Sequence, residues 1–167
     1  SGKTNLEVPY GVTLVPVTSA QDMFEAVSSR AKEQDMIIKA AAVADYRPVA
    51  VAENKIKKSP GDMSIALERT TDILAWLGEH RREGQVLCGF AMETEHMVEH
   101  AKEKLTGKHV DMIAANNVKV AGAGFGTDTN VVTLITEDGV EELAKMSKEE
   151  VASRIVDALL RLRENME

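Results

Sequence analysis

Asp35 to Ala44 is an almost continuous apolar run, and it constrains the fold more than any other stretch. Such a run fits a parallel strand covered on both faces by helices. It stops at Asp45, and a loop then leads to Lys55, Lys57 and Lys58. An apolar strand ending at a carboxylate, followed by a cationic arm, is how an open α/β sheet presents a site at its carboxyl edge.

The sequence on either side alternates between strand and helix signals. Val12 to Val17 is β-branched and reads as a short buried strand, with Pro16 near its end. Thr18 or Ser19 can cap a helix over residues 20–34, whose inward face is Met23, Phe24, Ala26, Val27 and Ala31. Met63 to Glu68 alternates as a half-exposed strand, and Thr70-Thr71-Asp72 opens a helix containing Ile73, Leu74, Trp76 and Leu77. Gln85 to Phe90 is a buried strand, followed by a helix from about Thr94 to Leu105. Val110 to Ala115 is a strand ending at Asn116-Asn117, and a glycine-rich loop comes next. Val131 to Thr136 and Val140 to Leu143 flank Asp138-Gly139, a hairpin signal. Ser147 and Glu150 form a capping box ahead of a last helix with Val151, Ile155, Val156, Ala158, Leu159 and Leu162 inward.

This pattern predicts one three-layer, Rossmann-like α/β domain spanning residues 1–167. Its sheet is mostly parallel, with helices on both faces and an antiparallel hairpin near the C-terminus. The length of 167 residues suits one core and falls short of two ordinary ones. A net charge of −7 argues against a nucleic-acid partner, and 4% aromatics against base stacking. No apolar run is long enough to span a bilayer, and no signal peptide is visible. The single cysteine, Cys88, cannot form an internal disulfide, which fits a reducing cytoplasm.

Three expected strand ends carry polar groups to one edge: Asp45, Phe90 to Glu93, and Asn116-Asn117. Each has a plain structural alternative. Asp45 fits a turn former, and the lysine arm fits a solvated face. Thr70, Thr71 and Asp72 offer an anion site at a helix start or simple capping. Lys104 and Lys108 reach the same edge or complement a helix dipole. His96 and His100 stand i, i+4 without an evident third metal ligand, and Cys88 reads as core. The G-x-G-x-x-G and G-x-x-x-x-G-K-[ST] fingerprints are absent.

Taken together, AAAVADYRP, KIKK, TTDIL, GFAMET, AKEKLTGKHVDMIAANNV and GFGTDTN, in that order, resemble the phosphopantothenoylcysteine synthetase family. The resemblance covers nearly the whole chain. It implies a ligase that joins 4′-phosphopantothenate to cysteine in coenzyme A biosynthesis, with CTP and Mg2+. In many bacteria the domain follows a fused flavin-dependent decarboxylase, and the family is usually dimeric.

Residue roles follow from the same resemblance. Asp45 belongs to the nucleotide site, and Lys55 acts in forming the acyl-cytidylate. Thr70, Thr71, Asp72 and Ile73 match an N-P-D-I segment, with Thr-Thr as a departure from its first two residues. Phe90 is a wall for the base, Lys104 and Lys108 reach the nucleotide, and Ala41 and Ala42 let the intermediate approach the backbone. The metal ligands and the cysteine pocket are not indicated. The family also begins with a strand-loop-helix and an S-N-x-S-S-G segment that has no match here, a difference of roughly 40 residues or about one β-α-β unit. The expectation is that the chain 1–167 alone lacks full turnover. The rival readings are a non-catalytic nucleotide-binding module and, against the missing glycine fingerprint, a nicotinamide oxidoreductase.

Overall fold

The computed structural model describes residues 1–57, 61–93, 96–117 and 126–166. Its elements, in chain order, are α1 (Ala20–Ser28), β1 (Met36–Lys39), β2 (Tyr46–Pro48), β3 (Leu67–Arg69), α2 (Ile73–His80), β4 (Val86–Glu93), α3 (Met97–Gly107), β5 (Met112–Asn117), β6 (Thr129–Asn130), β7 (Val132–Thr136), β8 (Val140–Glu142), β9 (Met146–Ser147) and α4 (Lys148–Glu164). A 3-10 turn at Ala31–Glu33 follows α1.

Among the described residues the main sheet has five strands in the order β1-β4-β5-β7-β8. β1, β4 and β5 are parallel, β7 is antiparallel to β5, and β8 is antiparallel to β7, so four of the five strands share one direction. The α/β expectation holds, including the hairpin: Thr136 N donates to the Gly139 carbonyl at 2.9 Å across the Asp138-Gly139 turn.

Side-chain alternation along the strands divides the core into two layers. Leu87, Ala91, Ile113, Ala115 and Ile135 face one cluster with Ile73, Leu74 and Leu77 of α2 and Ala101 and Leu105 of α3, against which Met23, Phe24 and Val27 of α1 pack. Val86, Cys88, Met112, Ala114, Val132 and Leu134 face the other, closed by Val151, Ile155, Ala158 and Leu159 of α4. Burial pushes the Cys88 thiol up to about 12, as suits a core side chain. Both expected N-caps form. Ser19 makes a capping box with Asp22, and Ser147 with Glu150. Among the described residues no helix is long and apolar enough to cross a membrane.

Four local expectations change. Val12 to Val17 forms no strand; Val15 and Val17 bond to Ser1 (Ser1 N to Val15 O at 2.8 Å, Val17 N to Ser1 O at 3.0 Å), Val12 N bonds to Pro9 O at 3.2 Å, and Val12 and Leu14 stay exposed. β1 is short and lies at the sheet edge, so it is half-buried rather than covered on both faces. Met63, Ile65 and Leu67 are all exposed, because the only ladder there among the described residues is the two-stranded ribbon of β3 with β2, which packs on neither core layer. Val156 of α4 points outward, one position from buried Ile155.

Candidate functional site

Beyond the end of β1 at Lys39, Val43 N donates to the Ala41 carbonyl at 3.2 Å, a three-residue turn. Ala41 and Ala42, expected on the strand, therefore lie beyond it. They are exposed and line a groove of about 340 Å³ with Val17, Ser19 and Ala20. The chain is then clamped to the approach to α2: Thr70 Oγ1 donates to Ala44 O at 2.6 Å, and Thr70 N to Asp45 O at 2.9 Å. From this clamp β2 and β3 leave as an antiparallel ribbon, with Tyr46 opposite Arg69 and Arg47 paired to Glu68 at 2.7 Å. Lys55 and Lys57 are exposed in the connection between the two strands; Lys58 lies outside the described residues.

Asp72 is the N-cap of α2. Its Oδ1 accepts from Ala75 N at 3.1 Å, and its Oδ2 stands 3.0 Å from Lys108 Nζ. Burial pulls this carboxyl up, but the Ala75 amide, Lys108 and Lys39 outweigh it and hold it below the usual aspartate value. Ile73 turns into the core and anchors the first turn.

Lys108 is positioned by the end of α3. Val110 N donates to Leu105 O at 3.1 Å and His109 N to Thr106 O at 3.2 Å, with His109 left-handed at φ 52°. That is a Schellman closure with histidine where glycine is usual. Gly78 of α2 lies directly over it, and a methyl there would run into the Lys108 carbonyl. A glycine inside a helix costs roughly 1 kcal/mol against alanine, so close approach to this turn gives the residue its reason. Lys104 is half-buried on α3, and its carbonyl accepts from Lys108 N at 3.0 Å.

Lys39, the last residue of β1, joins the same cluster without having been singled out from sequence. It is half-buried, and desolvation followed by the charge of Lys108 lowers its pKa, while Asp72 and Asp45 pull the other way. Its signal was a lysine ending an otherwise apolar strand. Asp45, Thr70, Asp72, Lys108 and Lys39 thus meet at the carboxyl end of β1.

Phe90 is brought to the same edge on the opposite layer, packed against the α4 cluster. Thr71 is exposed at the start of α2. Asn116 accepts from Asn130 Nδ2 at 3.0 Å, which ties β5 to β6. Residues 120–125 of the glycine-rich loop and Thr94 lie outside the described residues. His96 and His100 are exposed, with ring centres 6.1 Å apart. Among the described residues no group of three or more His, Cys, Asp or Glu gathers as a metal cage.

Known proteins match this chain along nearly its whole length. The chain is 47% identical over 164 residues to the coenzyme A biosynthesis bifunctional protein CoaBC of Bacillus subtilis, covering 97% of this chain and 40% of that one. The chain thus spans about 40% of the length of the curated relatives it matches. A crystal structure of the C-terminal domain of CoaBC superposes with a TM-score of 0.80 at 45% identity, over 98% of this chain and 74% of that one. A Cab2 mutant described in complex with phosphopantothenate-cysteine shares the fold at a TM-score of 0.69 and 17% identity, over 91% of this chain and 53% of that one. The model of the DNA/pantothenate metabolism flavoprotein C-terminal domain matches residues 1–162. The chain belongs to that family.

Proposed function

We propose that this domain carries the ligase step joining 4′-phosphopantothenate to cysteine, with CTP as co-substrate. The observation that carries the reading is the cluster at the carboxyl end of β1, where Lys108 Nζ lies 3.0 Å from Asp72 and Thr70 fastens Asp45 beside them. Similarity to CoaBC proteins supports the substrates.

In the reaction a carboxylate oxygen of 4′-phosphopantothenate attacks the α-phosphorus of CTP. The bond to the bridging oxygen breaks and pyrophosphate leaves. The amine of cysteine then attacks the acyl carbon of the acyl-cytidylate, CMP departs, and the amine loses a proton. Lys55, on its exposed arm, neutralises charge building on the α-phosphate. Lys104 and Lys108 meet the phosphates as point charges, Asp45 and the Thr70–Ile73 segment border the nucleotide, and Phe90 walls the base. The groove beside Ala41 and Ala42 admits the acyl chain. Mg2+ would come with the triphosphate as part of the co-substrate and would supply charge neutralisation at the phosphates.

The same reading makes the protein cytoplasmic and dimeric, joined to a flavin-dependent decarboxylase domain. The β2–β3 ribbon suits the dimer contact, since Val49, Val51, Ile56, Met63 and Ile65 are all exposed there. Two measurements test the function. Titration of the purified chain with CTP in magnesium gives saturable binding, and in the complete protein pyrophosphate release depends on added 4′-phosphopantothenate. Binding without release points to a nucleotide-binding module, and no binding contradicts the reading.

A further inference from the structure

The chain between β1 and β2 leaves the sheet early. β1 pairs with β4 as far as Lys39 and Gly89, whereas β4 stays paired with β5 as far as Glu93 and Asn117. Among the described residues, 40–44 join no ladder. A segment of this kind keeps much of its backbone freedom unless something outside it fixes it. Thr70 supplies that restraint.

Thr70 has two donors, and they fall on consecutive carbonyls. Its amide donates to Asp45 O at 2.9 Å and its hydroxyl to Ala44 O at 2.6 Å. The amide bond continues the β2–β3 ribbon one step beyond the Tyr46–Arg69 pair, and any residue except proline would make it. The hydroxyl bond belongs to the side chain. It restrains the peptide between Ala44 and Asp45, whose orientation sets the direction in which the Asp45 side chain leaves the backbone.

The other end of the clamp is firmly held. Two residues on, Asp72 accepts from Ala75 N at 3.1 Å and meets Lys108 Nζ at 3.0 Å, and Ile73 is buried in the core. Thr70 therefore registers Asp45 against the Asp72–Lys108 pair. It does so at the expense of its own reach, since the main chain takes both of its hydrogens. A phosphate oxygen accepts and needs a donor, and Thr70 has none left to give.

We propose that Thr70 is a positioning residue, whose hydroxyl sets where Asp45 stands and which acts on the nucleotide through Asp45 alone. The inference rests on the nucleotide reading above, in which Asp45 borders the nucleotide. It gives Thr70 a role distinct from that of its neighbours in the segment.

The test is a double-mutant cycle read by isothermal titration of CTP in magnesium, with the purified chain, Thr70→Val, Asp45→Asn and the double variant. Valine copies the shape of threonine and keeps the amide while removing the hydroxyl. Thr70→Val weakens CTP about fivefold, the loss expected for one hydrogen bond. Thr70→Ser keeps the hydroxyl and binds as the parent does. Asp45→Asn also weakens CTP, and adding Thr70→Val to it changes affinity by less than about twofold, because the residue through which Thr70 acts is already altered.

A fivefold loss that persists in the Asp45→Asn background overturns the proposal, since Thr70 then acts by a route of its own. Parent-like affinity in Thr70→Val, with only a lower urea midpoint, makes the clamp structural and also overturns it. So does an Asp45→Asn variant that binds like the parent. Each of these results leaves the nucleotide reading intact, whereas no CTP binding by the parent overturns both. Should Thr70→Val not fold, Thr70→Ala takes its place in the cycle, and failure of both to fold makes Thr70 a residue of the fold and contradicts the proposal.

Discussion

Asp72 and Lys108 lie 3.0 Å apart, carboxylate to ammonium, and the same carboxylate caps α2 through Ala75 N at 3.1 Å. One side chain thus starts a helix and fixes the lysine at the end of another. Helix capping and placement of Lys108 are therefore not separable at this position.

Replacing Asp72 by alanine removes both contacts. The expected loss is about 1 kcal/mol for the cap, read as a lower urea midpoint at unchanged m-value. Asp72→Asn retains a capping oxygen and costs less. The pH dependence follows from the depressed carboxyl. Its stabilisation is fully present above the unfolded-state value near 3.8 and is lost as pH falls through the lower folded-state value. Asp72→Asn lacks this contribution, so the difference in stability from the parent shrinks below pH ~4.

Gly78→Ala drives a methyl into the Lys108 carbonyl. Both sides of that contact are tied into helical structure, so relief requires α2 to move. A loss of about 1–3 kcal/mol is expected, measured by chemical denaturation, with weaker CTP binding because Lys108 shifts. Unchanged stability would mean that α2 does not approach this turn.

His109→Gly has the opposite sign. The left-handed backbone at φ 52° is costly for histidine and open to glycine. Relief of roughly 1 kcal/mol is partly offset by glycine's freedom in the unfolded chain, leaving a net gain of about 0.5 kcal/mol. A higher melting temperature with unaltered CTP affinity is the expected outcome.

In the complete protein Lys55→Ala is expected to abolish acyl-cytidylate formation, followed by mass spectrometry of the intermediate and by release of pyrophosphate. Formation at the parent rate would remove Lys55 from the chemistry.

The main sheet and its helices were legible in the sequence because periodicity reports burial, and β4, β5 and α4 are buried as their patterns require. Ser19, Asp72 and Ser147 were legible as caps because capping is local chemistry. The strand failures share one physical origin. An apolar segment becomes a strand only beside a partner, and among the described residues neither Val12 to Val17 nor the far half of Asp35 to Ala44 has a ladder to join. Among the candidate residues around the carboxyl end of β1, Asp45, Asp72 and Lys108 were singled out from sequence, whereas Lys39 and Gly78 were not. Lys39 matters through its register against Gly89, and Gly78 through what lies above it. Both are tertiary facts. The available hint for Gly78 was a glycine inside an otherwise regular helical period.

Hydrogen exchange of the chain with and without CTP in magnesium tests most directly whether the carboxyl end of β1 is the nucleotide site. The account predicts protection concentrated in residues 39–46, 70–77 and 104–110. Absence of protection, or protection confined to the opposite edge around Arg81 to Gln85 and Glu137 to Gly139, would contradict it.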